Sequence, residues 1–482
     1  MVSAILIVPL IGALLIALCR SEERAKWIAL LTTGLVFILS LYVLFTFDIN
    51  KGGFQFVDYG SWLPSFSIRY RVGVDGLSLI MLLMTTLITF VSVPSAWKYI
   101  NRRRKLFYSL LLLLETAMVG VFVSLDALLF YIFWEAMLIP MSLIIGIWGG
   151  ERRIYSALKF FIYTFAGSIF LLVGLIVLAV VYGSVTGNYT FDIEKLSQFH
   201  YPLELQKWLF WAFFIAFAVK VPVFPFHTWL PDAHVEAPTP GSVILAGVLL
   251  KMGTYGFLRF SLPLFPDAYK LYAPYIFVLG VVAIIYTALV ALVQEDVKKI
   301  VAYSSVSHMG FVMIGLFALN VQGIEGAIFQ MLNHGLVSAA LFFIVGAIYE
   351  RLHTRSILKM GGISDFAPKL AFLAMVFTMA SVGLPGTSSF IGEFLTILGG
   401  YKAAHWVGVL MALGVIFGAA YMLYMYRNVF FLEPKVLSFS DLDLRELLTL
   451  SLIALLVVWW GFNPEFILKF VHNYTATLLG GV

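Results

Sequence analysis

Six ionisable side chains lie within long apolar stretches of this chain: Glu135, Lys220, Lys251, His308, His334 and Glu393. A charge at bilayer depth costs roughly 2.5–3.5 kcal/mol on insertion scales, so such residues are kept for a use or a partner. Carboxylates, amines and imidazoles are also the groups that accept and release protons. Histidine titrates near neutral pH, and a desolvated lysine is brought toward it. Lys220 stands two residues before Pro222 in Val219-Lys220-Val221-Pro222-Val223-Phe224-Pro225. A proline ends the helix that carries the lysine, and a helix break at membrane depth is tolerated only where protein or water covers the freed backbone. The chemistry these residues fit is proton movement along a buried path.

Each has a plainer reading. Glu135, in Phe133-Trp134-Glu135, is either the ion-pair partner of Lys220 or a neutral acid hydrogen-bonded between helices. At 4 Å and an effective dielectric of 20, such a pair is worth about 4 kcal/mol, and separation to about 8 Å releases about half of it. Lys220 lies too deep for its stem to snorkel to a polar surface. Lys251 is either a relay group or a lysine bonded to a backbone carbonyl, and Arg259 on the same helix is expected to snorkel. His308 and His334 are relay imidazoles or simply hydrogen-bonded ones; Ser304, Ser305, Ser307 and Asn333 make their surroundings polar enough for water. Glu393 follows a second interruption, Gly383-Leu384-Pro385-Gly386. It is either the counterpart of Lys220 or a neutral acid on the freed backbone. Asp126 is expected to be a solvated helix-end charge, and Glu115 is ambiguous. His227, Asp232, His234 and Glu236 are metal-ligand types, but Pro231, Pro238 and Pro240 argue for a rigid connecting loop instead, and no metal is expected.

The elements that position these groups follow from composition. Of 482 residues, 61% are hydrophobic and 12% charged, with mean hydropathy +0.97. A soluble domain is about 45–50% apolar and about 25% charged, so the chain is an all-α polytopic membrane protein. About fourteen runs reach the roughly 20 residues a span needs: 2–19, 27–47, 74–95, 106–123, 126–148, 155–182, 206–226, 240–262, 272–293, 299–319, 324–348, 369–397, 403–430 and 447–468. The first run leads straight into further helices and is expected to be retained rather than cleaved as a signal. Of the 31 lysines and arginines, 20 fall at loops and helix ends on one side and 8 on the other, with the rest inside helices. The rule that cytoplasmic loops carry the positive excess then places both termini outside. The interrupted seventh and twelfth runs each come fourth in a set of five. Five is odd, so the two sets enter from opposite sides. That spacing predicts two inverted five-helix repeats, helices 4–8 and 9–13, with transport sites at the paired breaks. The expected units are 1–105, 106–262, 272–430 and 431–482. Residues 52–71 alternate as a hairpin does, and 184–204 are polar and irregular.

Some chemistry is excluded. The single cysteine, Cys19, allows no intrachain disulfide and no cysteine-ligated iron–sulfur cluster. Neither a dinucleotide fingerprint nor a phosphate loop is present. The net charge of +5 is modest and does not argue for nucleic acid.

Taken together, Lys-Val-Pro-x-x-Pro-Phe-His-Thr-Trp-Leu-Pro-Asp-Ala-His at 220–234, Phe-Trp-Glu at 133–135, Leu-Leu-Lys-Met-Gly at 249–253, Asn-His at 333–334 and Gly-Glu-Phe at 392–394 resemble the antiporter-like membrane subunits of respiratory complex I. The family also includes subunits of multisubunit cation/proton antiporters and of membrane-bound hydrogenases, and these remain the alternatives, together with a structural subunit lacking any ion path. The glutamate at 393 resembles the M-type member; other members carry lysine there. The resemblance implies a controlling Glu135–Lys220 pair and lateral proton passage through Lys251, His308 and His334 to Glu393. It implies no cofactor in this chain, with NAD, FMN, iron–sulfur clusters and quinone in partner subunits. It further implies paralogous membrane-arm neighbours, and residence in the bacterial inner membrane with both termini periplasmic.

Overall fold

A computed structural model of the chain describes residues 1–436 and 438–480. In chain order its main helices are α1 (Val2–Leu18), α2 (Glu22–Thr46), α3 (Gly76–Ala96), α4 (Arg104–Val123), α5 (Ala127–Trp148), α6 (Arg153–Thr186), α7 (Leu203–Lys220), α8 (Trp229–Glu236), α9 (Thr239–Leu264), α10 (Pro266–Leu292), α11 (Val297–Phe317), α12 (Val321–Leu352), α13 (Pro368–Val382), α14 (Ser388–Ala403), α15 (His405–Phe431), α16 (Leu444–Phe462) and α17 (Glu465–Gly480). Among the described residues, eleven helices are long and apolar enough to cross a membrane; α1 and α13 are shorter apolar helices.

The bundle is layered by burial. The apolar stretches of α9 and α12 are wholly enclosed by protein, while that of α2 is 39% buried. Exposed Leu, Ile, Val and Phe side chains line the outer helices, for example Leu31, Phe45, Ile162 and Ile416. An apolar exterior of this kind fits lipid, while the central helices form a lipid-free interior. Of the six proton-transfer candidates, all except Glu135 are buried.

Both expected breaks are present; the first, at 221–223, is buried in protein, while the second leaves Leu384 46% exposed. α7 stops at Lys220 because Pro222 offers no N–H and cannot continue the ladder. The freed groups find new partners: Val223 N–H donates to Ala218 O at 2.7 Å, and Trp229 Nε1–H to Val219 O at 2.8 Å. At the second break α13 ends on Gly383, whose φ of +81° is the left-handed conformation glycine adopts freely. The N–H groups of Gly383 and Leu384 then donate to Ala380 O and Met379 O, both at 3.0 Å.

The expected hairpin forms as antiparallel strands β1 (Gln55–Leu63) and β2 (Ile68–Val74), with Tyr59 opposite Arg71. Two expectations are corrected. The proline-rich segment after the first break is not a loop, since α8 is helical with Pro231 in its first turn, where a missing N–H costs little. The last apolar run is not one helix to residue 468: it ends at Phe462 before Pro464, and the separate helix α17 follows.

Candidate proton-transfer site

Four of the six candidate residues form one continuous row. Lys251, fully buried on α9, donates to Ala246 O and lies 2.7 Å from His334 Nδ1. The plainer reading of this lysine, a bond to a backbone carbonyl, is thus observed, with an imidazole nitrogen beside it. The carbonyl it uses belongs to a π-helical turn, Leu245–Leu249. Such turns interrupt the normal ladder and occur often at functional positions. The His334 and His308 ring centroids are 5.5 Å apart. His308 Nδ1 then lies 3.0 Å from Glu393 Oε1, at ion-pair distance without hydrogen-bond alignment. His308 Nε2 is 3.3 Å from Ser381 Oγ, and Gln330 Nε2 donates to Glu393 Oε1 at 3.4 Å.

Helices α9, α11, α12 and α14 each supply one member of the row. A cavity of about 10 Å³ lies beside it, lined by Ser304, His308, Gln330, His334, Ser338 and Ser381. That is about one water's worth of space; Val337 and Leu341 complete the lining, so polar groups make up only part of the walls. His334 Nε2 has no protein partner, so a water there would find a buried imidazole nitrogen in need of one. The second break serves this end of the row directly: a Cβ on residue 383 would sit 2.5 Å from Glu393 Oε2, so the glycine makes room for the carboxylate.

The other two candidates are not in contact with each other. Lys220 is 1% exposed, with Nζ 4.7 Å over the Trp134 ring and 3.8 Å from Met137 Sδ. Among the described residues no Glu135–Lys220 ion pair forms within 4.0 Å, and Glu135 Oε1 is buried without a hydrogen-bond partner. The lysine is thus cushioned by a π face and a thioether. Both attract a cation weakly, which leaves Lys220 free to change partner.

Sequence reasoning missed a strong site on the same helix as Lys251. Arg259 does not snorkel; it makes a bidentate pair with Asp75, both contacts at 2.7 Å, with Tyr255 Oη at 3.0 Å and Ser78 Oγ at 3.1 Å. These partners are up to 184 residues apart in sequence. The one available signal was that Asp75 heads an apolar run as an N-cap residue. Asp126 is likewise not solvated: it is 2% exposed and caps α5 by accepting from Leu128 and Leu129 N–H, both at 3.0 Å. Glu115 is fully buried and neither of its carboxylate oxygens has a partner. Of the residues weighed as metal ligands, Asp232 pairs with Lys159 at 2.6 Å, and Glu236 accepts Arg152 N–H at 2.9 Å. No ligand group suited to a metal occurs among the described residues.

A polytopic helical protein with a buried acid–base row running to an interrupted helix belongs to the class of membrane ion-translocating subunits. Residues 124–418 match the family described as NADH:quinone oxidoreductase/Mrp antiporter, transmembrane region, and the chain belongs to this family. It is 45% identical over 490 residues to NADH-quinone oxidoreductase subunit M of Rickettsia bellii, covering 99% of this chain and 98% of that protein. It is 46% identical to the subunit of the same name from Rhodobacter capsulatus, covering 99% and 96%. Among solved structures it superimposes on a chain of respiratory complex I from Thermus thermophilus with TM-score 0.91, at 33% identity and 100% coverage of both. The Mrp complex of a Dietzia species shares the fold, with TM-score 0.84 at 22% identity, covering 98% of this chain and 52% of that one.

Proposed function

We propose that this chain is the M-type proton-translocating subunit in the membrane arm of a bacterial NADH-quinone oxidoreductase. The observation that carries this reading is the row Lys251–His334–His308–Glu393, in which every member can hold a proton and each stands within reach of the next or of a single water. Full-length similarity to subunits of that name supports it. NADH oxidation and quinone reduction take place in partner subunits, which hold the NAD, FMN, iron–sulfur clusters and quinone; this chain contributes no redox centre. Paralogous membrane-arm subunits flank it in the bilayer. The basic loops face the cytoplasm and both termini face the periplasm of the inner membrane, as the lysine and arginine excess requires.

In this reading Lys220 and Glu135 form the control element. When a rearrangement in the neighbouring subunit brings them together, the pair gains about 4 kcal/mol at 4 Å and an effective dielectric of 20. When they part, as here, Lys220 lets go of the carboxylate and its charge acts on the row. Protons move laterally through Lys251, His334 and His308 to Glu393 and leave toward the periplasm. The test is the purified complex in proteoliposomes. Lys220→Ala or Glu135→Ala is expected to lower NADH-driven proton uptake by about tenfold, or ~1.4 kcal/mol in the limiting step, with the complex still assembled. Normal pumping by both assembled variants removes the reading.

A further inference from the structure

Arg259 and Asp75 take no part in the row, although Arg259 shares α9 with Lys251. It stands two helical turns further along, about 12 Å on the axis. Together they line a cavity of about 420 Å³ on the side opposite the basic loops. They form its buried floor, with Arg259 6% and Asp75 8% exposed, while Lys51, Gln198, Asn473 and Thr477 make an exposed polar rim. A space of that size and polarity holds on the order of ten waters. Water from outside therefore comes within two turns of a relay lysine.

The groups at the floor are arranged so that a proton finds no carrier across that gap. A guanidinium stays protonated and has no acceptor to offer. Four of its five donors are committed. Nη1 and Nη2 meet the two Asp75 oxygens at 2.7 Å, Nη2 also reaches Ser78 Oγ at 3.1 Å, and Nε reaches Tyr255 Oη at 3.0 Å. Asp75 accepts a third bond from Ser78 N–H at 2.9 Å as the N-cap of α3, which fills three of the roughly four acceptor positions of a carboxylate. Tyr255, midway between Arg259 and Lys251 on the helix, donates its hydroxyl proton to Phe122 O at 3.0 Å. Thr254 donates to Lys251 O at 3.1 Å. A backbone carbonyl has no proton to send onward. The rings of Phe54 and Tyr474 cover the guanidinium at 5.0 and 5.4 Å, and the Tyr474 hydroxyl is itself tied to Leu258 O at 3.1 Å. A hydrogen-bonded network conducts protons when its donors and acceptors can be reassigned, and in this one they are pinned.

We propose that the Arg259–Asp75 pair is a proton-tight plug between the outer cavity and Lys251, barring the return of delivered protons through the first half of the bundle. This rests on the translocation reading, since a plug matters only where the protein behind it conducts. It gives a role to a buried pair that the row itself does not use. The seal lies in the fixed direction of each bond, and the rings hold the guanidinium in the one orientation that makes all of them.

The experiment is the decay of a proton gradient in proteoliposomes of the intact complex. The gradient is built by a pulse of NADH and followed with a pH-sensitive dye once the NADH is exhausted. Arg259→Lys and Asp75→Glu keep both charges in place and are expected to assemble; Asp75→Asn replaces either one that does not. Lysine lacks the planar fork that holds Asp75 and Tyr255 at once. Glutamate, one carbon longer, loses the geometry that caps α3 and meets the guanidinium together. Each change therefore frees an acceptor at the floor. The gradient should decay roughly fivefold faster than in the wild type, while NADH oxidation runs at its full rate. The double variant Asp75→Leu/Arg259→Met removes both ionisable groups and fills a similar volume, an exchange that buried ion pairs tolerate. It should hold the gradient as the wild type does. Wild-type decay in assembled Arg259→Lys and Asp75→Glu overturns the plug. A double variant as leaky as the single ones also overturns it, because lost packing then explains the leak. Glu393→Gln separates the two readings. Loss of NADH-driven pumping there, with no leak in the single variants, means that only the plug is wrong. Normal pumping there means that the translocation reading has failed.

Discussion

The two interrupted helices solve the same backbone problem in opposite ways. The first break is made by prolines and carries a cation, Lys220, that rests on Trp134 and Met137 and holds no carboxylate. The second is made by glycines and carries an anion, Glu393, with His308 at 3.0 Å and Gln330 at 3.4 Å. In the proposed function, the difference separates a switch from a terminal. A charge on soft, polarisable neighbours can trade partners at small cost, whereas a charge set among directional polar groups has its place fixed. Helix breaks at matching positions therefore do not imply matching roles.

The comparison breaks most sharply at Glu393. Glu393→Gln keeps the contact with Gln330 but removes the proton acceptor facing His308, and should reduce pumping about tenfold, ~1.4 kcal/mol in the limiting step. Retained pumping in the assembled variant would mean the terminal lies elsewhere. Gly383→Ala tests the fixed end through the backbone. The added Cβ meets Glu393 and requires a positive φ, so the expected cost is roughly 1–2 kcal/mol. A lowered melting temperature of the complex, with pumping impaired, is the signature. A variant of unchanged stability and pumping would show that the glycine is incidental. At the soft end, Trp134→Leu should leave assembly intact and remove about 0.5–2 kcal/mol of cation–π attraction. The check is whether the pH dependence of pumping shifts, because a less stabilised ammonium gives up its proton at lower pH. An unshifted profile means the cushion does not tune the lysine.

The smallest expected effect lies outside both breaks, on α17. His472 sits 2.7 Å from Glu325 and 3.3 Å from Glu465. Burial works against its charge, but these carboxylates outweigh burial and raise it above the ordinary histidine value. A raised value in the folded state means the contribution is fully present below the unfolded value of about 6.5 and fades as pH climbs through the folded one. Hydrogen-exchange protection in α17, corrected for the intrinsic rise of exchange with pH, should fall modestly across that rise, and that fall should vanish in His472→Gln.

Much of this was readable from residue types that act locally. Proline and glycine punctuate helices by covalent geometry, so both breaks and their ionisable neighbours could be placed from sequence. Apolar runs of span length placed the core helices for the same reason. What depends on distance between remote segments was not readable. The Arg259–Asp75 pair joins positions 184 residues apart. The absence of contact between Glu135 and Lys220 is a matter of ångströms that no spacing rule supplies. The α8 helix was hidden because proline counts as a breaker except in a first turn. The junction before α17 was hidden because Asn463-Pro464-Glu465 is a short polar interruption with apolar residues resuming at Phe466.

The smallness of the cavity beside His308 and His334 has an electrical meaning. A continuous file of water through the bundle would discharge the membrane faster than respiration could charge it. Space for about one molecule, about 10 Å³, leaves no room at that point for a file of water, where the apolar stretches of α9 and α12 are wholly enclosed by protein. Around the row the protein is insulation, and close packing there guards against a leak.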